Sequence, residues 1–216
     1  MNKQAVICRY KEDVSWVEGL NFDYIICNKG TDEVPYNSVK VENFGRESRA
    51  FLTFIISNYD QIKDSNVYCN LQGRPFDHLV TIEEINDVGY VDFKPFGKRR
   101  FTEGLKGPVN NHFPLGLPLV EMCDLLFKTN PLIKTNVISF ILGGQFAVSG
   151  KRIRHRDIQF YKYLHAILGK RNPLEGHMVE RIWHLIFDDT IEDRFTNYFN
   201  ARKRCVENAS WQGELE

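Results

Sequence analysis

The stretch NVYCNLQGRPFDH, residues Asn66–His78, decides the predicted fold. Its first part, Val67–Leu71, is a short β-favouring run, which the glycine and proline of QGRPF end in a sharp turn. Asp77 and His78 follow the turn, an oxygen ligand beside an imidazole. Because ligands of open α/β sheets bind outside the carboxyl ends of the strands, this placement predicts a divalent-cation site. The alternative is that Asp77 caps a helix predicted for the following TIEEI segment and that His78 is a surface histidine.

Two earlier strand-like runs also end in polar residues. The run AVIC leads into Arg9 and Tyr10, with a helix predicted from about Asp13, and the run YIIC leads into Asn28 and Lys29. Strands that each deliver a polar turn are typical of a nucleotide-binding α/β half-domain. The pattern predicts a single α/β domain with a central, mostly parallel mixed sheet of about six strands flanked by helices.

The segment NFGRES is followed by a strong helical pattern, about residues 47–59, which carries a wide apolar stripe. Gly45 permits a close backbone approach, and Arg46 stands at a helix N-terminus, where anions are favoured. One interpretation is that a diphosphate or a nucleobase edge binds here. The other is an ordinary first-turn ion pair between Arg46 and Glu47.

Further candidates lie in the C-terminal half. The apolar run 136–142 predicts a strand that breaks at GGQ, where Gln145 can contact a sugar hydroxyl; a β-bulge is the alternative. The helix predicted over 174–187 places His177 and Glu180 on one face, which would offer a metal ligand and a carboxylate. An equally good interpretation is that the two side chains are partly buried and each forms a hydrogen bond with the backbone.

Charge limits the range of partners. Lysine plus arginine equals aspartate plus glutamate, at 28 each, so no overall field attracts nucleic acid or an anionic membrane. Nucleic acid is therefore not an expected partner. Two local basic runs, residues 98–100 and 151–156, suit a phosphate-bearing small molecule, or else form solvated faces.

Other sequence features exclude several classes of protein. The five cysteines are an odd number at wide spacings with no C-x-x-C pair, so they suggest buried hydrophobes in a reducing, cytoplasmic compartment. No run of 18 apolar residues is free of charge, so we expect no membrane segment in this chain. The chain also lacks a G-x-G-x-x-G fingerprint, a P-loop and a G-x-S-x-G elbow.

Several of these segments together resemble a known family. They are CRYKEDVSW, CNKG, NFGRES, NVYCNLQGRPFDH, GGQFAVS and VERIWHLIF, which span roughly residues 7–187. They are similar to the recurrent elements R-Y-x-E-D-x-S-W, N-K-G, G-R-E and L-Q-G-x-P-F-D-H of an uncharacterised family of fungi, algae and large viruses. That family looks like a compact branch of the GT-A-fold glycosyltransferases. The L-Q-G-x-P-F-D-H element is the specific one.

The resemblance implies a GT-A-like domain that binds UDP-glucose or a related UDP-sugar together with Mn²⁺ or Mg²⁺. It divides the chain into a nucleotide-binding half, about residues 1–93, an acceptor-side half, about 94–190, and a C-terminal helix and tail, 191–216. The acceptor implied is a glycan, carried on a capsid glycoprotein if the protein is viral. The expected location of this protein is the cytoplasm, which is the host cytoplasm in the viral case. The residues expected at the nucleotide and its diphosphate are Arg9, Tyr10, Asn28, Lys29, Arg46, Gln72, Gly73 and Arg154.

The metal ligands implied by the resemblance are Asp77 with His78 or His177. GT-A enzymes usually carry Asp-x-Asp after the central strand, whereas this chain carries a single carboxylate there. An inverting reaction needs a base for the acceptor hydroxyl, and Glu180 or Asp157 is the candidate. A retaining reaction needs none, and Gln145 would then orient the donor sugar. The sequence leaves the stereochemistry open.

Two other functions stay open at this point. A nucleotidyltransferase also binds a nucleotide and a metal at strand ends, although it would usually have a glycine-rich basic loop where this chain has RYKEDVSW. A non-catalytic module that binds a nucleotide sugar or a carbohydrate is the other, because the metal turn has only one carboxylate. Metal-dependent hydrolysis of a donor would exclude that module.

Overall fold

The structure, a computed structural model, describes residues 1–97, 100–104, 117–135, 137–171 and 174–195. The strands are β1 Lys3–Arg9, β2 Asp23–Asn28, β3 Ser38–Lys40, β4 Val67–Gln72, β5 Phe93–Pro95, β6 Arg100–Gly104, β7 Val137–Ile141 and β8 Phe146–Ser149. Six of them form a central sheet in the order β3–β2–β1–β4–β8–β5, and β6 pairs with β7 in a separate sheet.

The first four strands of the central sheet are parallel. β1 pairs in parallel with β2 and β4, and β2 pairs in parallel with β3. β8 runs antiparallel to both of its neighbours, β4 and β5. The predicted α/β class with a mostly parallel sheet of six strands is therefore confirmed.

The register brings three strand ends to one edge of the sheet. Cys8 of β1 lies opposite both Cys27 of β2 and Gln72 of β4. Arg9 and Asn28 form the next pair along the same edge. The polar turns that were predicted separately from the sequence therefore meet in space.

Helices and turns cover both faces of the sheet. The helices are α1 Arg46–Asn58, α2 Ile82–Asn86, α3 Leu119–Leu126, α4 Gly150–His155, α5 Ile158–Ile167 and α6 Leu174–Ile186. On one face α1 packs against α5 and α6, and its Phe51 meets Phe146 and Trp183 edge to face. The other face is covered by a 3₁₀ turn, Ser15–Gly19, and by α2, which buries Ile85.

Some elements differ from their sequence-based predictions. The helix predicted from Asp13 is only the short 3₁₀ turn, because the Asp13 carboxylate accepts hydrogen bonds from the backbone N–H and hydroxyl of Ser15 and so favours a turn. The predicted loop 31–41 contains the edge strand β3. The helix and tail predicted for the C-terminus lie largely in 196–216, outside the described residues. In the described part of the chain, no helix has the length and apolar character to cross a membrane.

Candidate functional site

A cavity of about 410 Å³ opens at the carboxyl ends of β1, β2 and β4, and we call it the strand-end cavity. β2 and β3 extend the sheet from one side of β1, whereas β4, β8 and β5 extend it from the other. Ligands of doubly wound sheets bind at such a reversal of strand order. The lining residues are Cys8, Tyr10, Glu12, Lys29, Asn43, Phe44, Arg46, Glu47, Gln72, Gly73, Arg74 and Asp77.

The loop that leads into α1 has a strained backbone. Gly45 and Arg46 have positive φ angles of 62° and 54°. The left-handed region costs a residue with a Cβ roughly 1–2 kcal/mol, so contacts in the fold must hold Arg46 there. The buried Lys29 ammonium supplies two of them, donating to the Phe44 carbonyl at 2.7 Å and to the Arg46 carbonyl. Burial lowers the pKa of Lys29. The Lys29 side chain both lines the cavity and holds the backbone that forms its wall.

The Arg46 side chain runs across α6 and lines the cavity. A Cβ added at Gly176 would come within 3.1 Å of Arg46 Cδ, so the glycine leaves room for the arginine. Arg46 Nη1 lies 3.2 Å from His177 Nε2, and Arg46 Nε lies 3.7 Å from Glu47 Oε2. The first-turn ion pair considered above is therefore present, and the same guanidinium also faces the strand-end cavity.

Two buried glutamates, Glu47 and Glu180, interact next to Arg46. Burial, together with the charge of Glu180, raises the pKa of Glu47, which lines the strand-end cavity. Glu180 accepts a hydrogen bond from the Gly143 backbone N–H at 2.6 Å, as the backbone interpretation predicted, and its Oε2 lies 3.9 Å from His177 Nδ1. Burial acts to raise the pKa of Glu180, but the interactions with His177 and Gly143 outweigh it, and the net direction is downward. Environments that push two carboxyl pKa values apart are typical of acid–base pairs.

Arg9 and Asn28, predicted to contact the nucleotide, make internal bonds instead. Arg9 is buried and pairs with Asp32, with Nη2 2.5 Å from Oδ2, while Arg9 Nη1 donates to Asn28 Oδ1 at 3.1 Å. The Asn28 amide nitrogen donates to the Asp32 carbonyl at 2.8 Å. Buried polar groups need such partners, and neither side chain lines the cavity. Tyr10, by contrast, is exposed and lines it.

Gln145 supports the turn after β4. Its Oε1 accepts from the Gln72 backbone N–H at 3.1 Å, and its Nε2 donates to the Pro75 carbonyl at 3.1 Å. Trp16 Nε1 donates to the carbonyl of Gly73 at 2.9 Å. Gln72 and Gly73 line the strand-end cavity as predicted, whereas Gln145, predicted to orient a sugar, holds their backbone in place.

The three predicted metal ligands are not gathered together. Asp77 is exposed and lines the cavity, and it does not cap α2, because Thr81 has that role. His78 packs against Gly143, where an added Cβ would lie 2.7 Å from the imidazole Cδ2. His177 contacts Arg46. Among the described residues, no group of three or more His, Cys, Asp or Glu side chains could hold a metal ion. A single carboxylate still fits a cation that arrives with a diphosphate, since Mg²⁺ uses one or two carboxylates plus substrate phosphates.

Asp157 and Arg154 lie away from the cavity lining. Asp157 is the N-cap of α5, where its carboxylate accepts from the Gln159 backbone N–H at 2.8 Å. Arg154 Nη1 donates to the Tyr59 carbonyl at 3.2 Å. The structure thus gives both residues a local structural role and does not bring them to the site predicted for them.

Sequence reasoning missed three lining residues with ionisable side chains, Cys8, Glu12 and Arg74. Glu12 and Arg74 lie within a few residues of the ends of β1 and β4, a position that could have identified them. Cys8 is the last apolar residue of its run, and burial raises the pKa of its thiol to about 12. Because the thiolate is the reactive form, Cys8 is not a nucleophile here.

Comparison with known proteins shows the family. Residues 6–92 and 116–208 match the family described as "Protein of unknown function (DUF3431)". The chain belongs to the DUF3431 family. The first matched range contains every residue that lines the strand-end cavity, so this DUF3431 protein carries its candidate site within the family's own sequence.

Two curated proteins are also similar to this DUF3431 chain. They are pyridoxine/pyridoxamine 5'-phosphate oxidases of Shewanella sp. (strain W3-18-1) and Shewanella putrefaciens (strain CN-32 / ATCC BAA-453), each 25% identical over 146 residues. The similarity covers 66% of this chain, which spans 63% of the length of each relative. No solved structure matches the chain.

Proposed function

We propose that this DUF3431 protein is a glycosyltransferase that moves a sugar from UDP-glucose or a related UDP-sugar to a glycan acceptor. The observation that supports this most is the strand-end cavity, which has the Arg46 guanidinium and the Asp77 carboxylate in its lining at the reversal of strand order. Its volume of about 410 Å³ lies in the range of small-molecule sites. The family-like L-Q-G-x-P-F-D-H element lines it through Gln72, Gly73 and Asp77.

The cavity has cationic groups suited to a diphosphate. Two guanidinium groups, those of Arg46 and Arg74, lie in its lining beside the buried Lys29. A planar guanidinium can donate two parallel hydrogen bonds to a phosphate, and the backbone of Arg46 is held by Lys29. In glycosyl transfer the diphosphate leaves as negative charge develops on it. Cations that are already in place stabilise that charge without reorganisation.

A divalent cation bound with the diphosphate supplies Lewis-acid stabilisation of the leaving group, and Asp77 is the side chain that would hold it. Asp77 is exposed and lies on the cavity lining, which supports this role.

Of the two predicted bases, Glu180 remains the candidate, because Asp157 caps α5. Glu180 interacts with Glu47, whose raised pKa favours its protonated form. Such a pair can keep one carboxylate ionised to accept a proton from an acceptor hydroxyl. This arrangement supports an inverting reaction more than a retaining one.

Calorimetric titration with UDP and GDP, with and without Mn²⁺, tests the proposal. We expect metal-dependent binding that favours UDP. Asp77→Asn keeps the side-chain shape but removes the charge, and it should weaken UDP binding in Mn²⁺ by about tenfold or more. The matched control is Asp87→Asn, the same change at an exposed residue that ends α2.

A second measurement addresses catalysis. Release of UDP from a panel of UDP-sugars in Mn²⁺ would exclude a non-catalytic binding module. Absence of binding by either nucleotide, with Mn²⁺ and without it, would overturn the proposal.

The two oxidases named above favour a second candidate, a site for a phosphorylated pyridoxine-type ligand. The same basic side chains, Arg46 and Arg74, suit a single phosphate group. Pyridoxine 5'-phosphate therefore belongs in the same titration. Binding of this compound without binding of UDP would support the second candidate over the first.

A further inference from the structure

A second cavity, of about 230 Å³, lies between β7, β8 and α6, and we call it the Trp183 cavity. Four aromatic side chains contribute to its walls. Polar atoms enter it from α6, where Glu180 and His184 lie one turn apart. The aromatic side chains are Phe93, Phe140, Phe146 and Trp183.

The indole of Trp183 carries an unsatisfied donor. The residue is only 2% exposed, and its Nε1 has no hydrogen-bond partner among the described residues. A Cβ added at Gly144 would lie 3.5 Å from this nitrogen, and Gly144 and Trp183 both line the cavity. Most buried polar groups are paired, and a buried N–H without an acceptor is destabilising. A ligand with an acceptor atom would remove that cost.

The side chains of the cavity narrow the class of ligand. Glu180 disfavours an anion there, because its own charge would repel one. A cation would suit Glu180 and the aromatic rings but could not accept the Trp183 N–H. A neutral hydroxyl satisfies both, since it accepts from the indole and donates to the carboxylate.

We infer that the Trp183 cavity binds a sugar ring, with ring hydroxyls bonded to the Trp183 N–H and to Glu180 and the C–H face packed on the aromatic walls. Given the proposed function, on which this part rests, the ring is the end of the glycan acceptor. Binding of the ring itself does not depend on that function.

The position of the Trp183 cavity supports the acceptor assignment. Gln145 lines it and accepts from the backbone of Gln72, which lines the strand-end cavity. A second connection runs from Glu180 through His177 to Arg46, over separations of 3.9 Å and 3.2 Å. The two cavities are therefore neighbours separated by single side chains, as a donor site and an acceptor site must be.

Two tryptophans report on the two cavities separately. Trp183 lines one, and Trp16 donates to the carbonyl of Gly73 at the other. The sequence has three tryptophans, so the ¹H–¹⁵N spectrum of the whole chain should show three indole resonances. Single Trp→Phe variants at 16, 183 and 211 assign them, and if one variant does not fold the other two assign the third by elimination.

The experiment titrates the labelled protein with methyl glycosides of glucose, galactose, mannose and xylose, and separately with UDP and Mn²⁺. We expect at least one glycoside to shift the Trp183 indole saturably while leaving Trp16 unmoved. UDP with Mn²⁺ should do the reverse. Glu180→Gln, which removes the charge and keeps the shape, should weaken glycoside binding about fivefold.

The outcomes separate the two proposals. A glycoside response at Trp183 without any response to UDP would support the sugar site and count against the glycosyltransferase. A UDP response at Trp16 with no glycoside response at Trp183 would overturn the sugar site alone. A Trp183 shift caused by tetramethylammonium and by no glycoside would also overturn it, because the cavity would then bind cations.

Discussion

Two helical stretches of this chain carry arginine, and the fold uses their guanidinium groups in opposite ways. In the run 151–156 the guanidinium groups bind other parts of the protein. Arg152 pairs with Asp92 at 3.0 Å, and Arg156 donates to the carbonyls of Ile186 and Asp188 at 3.0 and 2.8 Å. In GRES the guanidinium of Arg46 lines a cavity.

The difference shows why a count of basic residues does not locate an anion site. A guanidinium has five N–H donors, and burial requires most of them to be paired. Arg156 is fully buried and so is committed to structure, whereas the Arg46 side chain keeps 37% of its surface exposed. Whether a guanidinium is free to bind a ligand therefore depends on the residues that pack around that arginine.

The largest expected effect is on stability, at Arg156. Arg156→Met should lower the free energy of unfolding by about 3–5 kcal/mol, because it leaves the buried Asp193 carboxylate and several carbonyls without their donor. Urea denaturation measures this. Arg154→Met, the matched change on the exposed side of α4, should alter it by no more than about 0.5 kcal/mol. Near-equal stabilities of the two variants would contradict the conclusion that Arg156 is committed to structure and Arg154 is not.

The next effect is on ligand affinity, given the proposed function. Arg46→Ala should raise the Kd for UDP in Mn²⁺ by about 10- to 150-fold, because it removes charge-assisted hydrogen bonds to phosphate worth about 1.5–3 kcal/mol. Arg154→Ala should leave the Kd within about twofold. Calorimetry provides both values. Equal losses of affinity would mean that the basic run does contribute to the site.

A smaller effect on stability concerns the backbone of Arg46. Alanine is normally better than glycine within a helix, but here the φ of 54° makes a Cβ unfavourable. Arg46→Gly should therefore be more stable to urea than Arg46→Ala by about 1 kcal/mol, while both lose the side chain that lines the cavity. If the alanine variant is the more stable, the positive φ at residue 46 carries no cost for a Cβ.

The smallest effect concerns acid stability at the Arg9–Asp32 pair next to the site. The hydrogen bond from Arg9 lowers the pKa of Asp32 below its ordinary value of 3.8. The pair therefore stabilises the fold fully above that value, and the contribution is lost as the pH falls below it towards the lowered pKa. The difference in unfolding free energy between wild type and Asp32→Asn should be constant near neutrality and shrink below pH 3.8. A difference that does not change with pH would contradict this.

Local sequence was enough for the fold class and for part of the site. Strand runs that end in polar residues, and a helix with a wide apolar stripe after NFGRES, are patterns whose period follows from backbone geometry alone. They predicted β1, β2, β4 and α1. They also placed four residues at strand or helix ends, and all four line the strand-end cavity: Tyr10, Arg46, Gln72 and Asp77. Those residues could be predicted because proximity to a strand end is a local property.

Only the tertiary structure decided which polar groups are still available. Arg46 and His177 meet across 131 residues, and the charge of Glu180 raises the pKa of Glu47 only because α1 packs against α6. Arg9 and Asn28 had the same sequence context as Tyr10, yet the fold buries both and bonds them to Asp32. The physical reason is that a hydrogen-bonding group serves whichever partner lies within about 3 Å, and that partner is set by packing between distant segments.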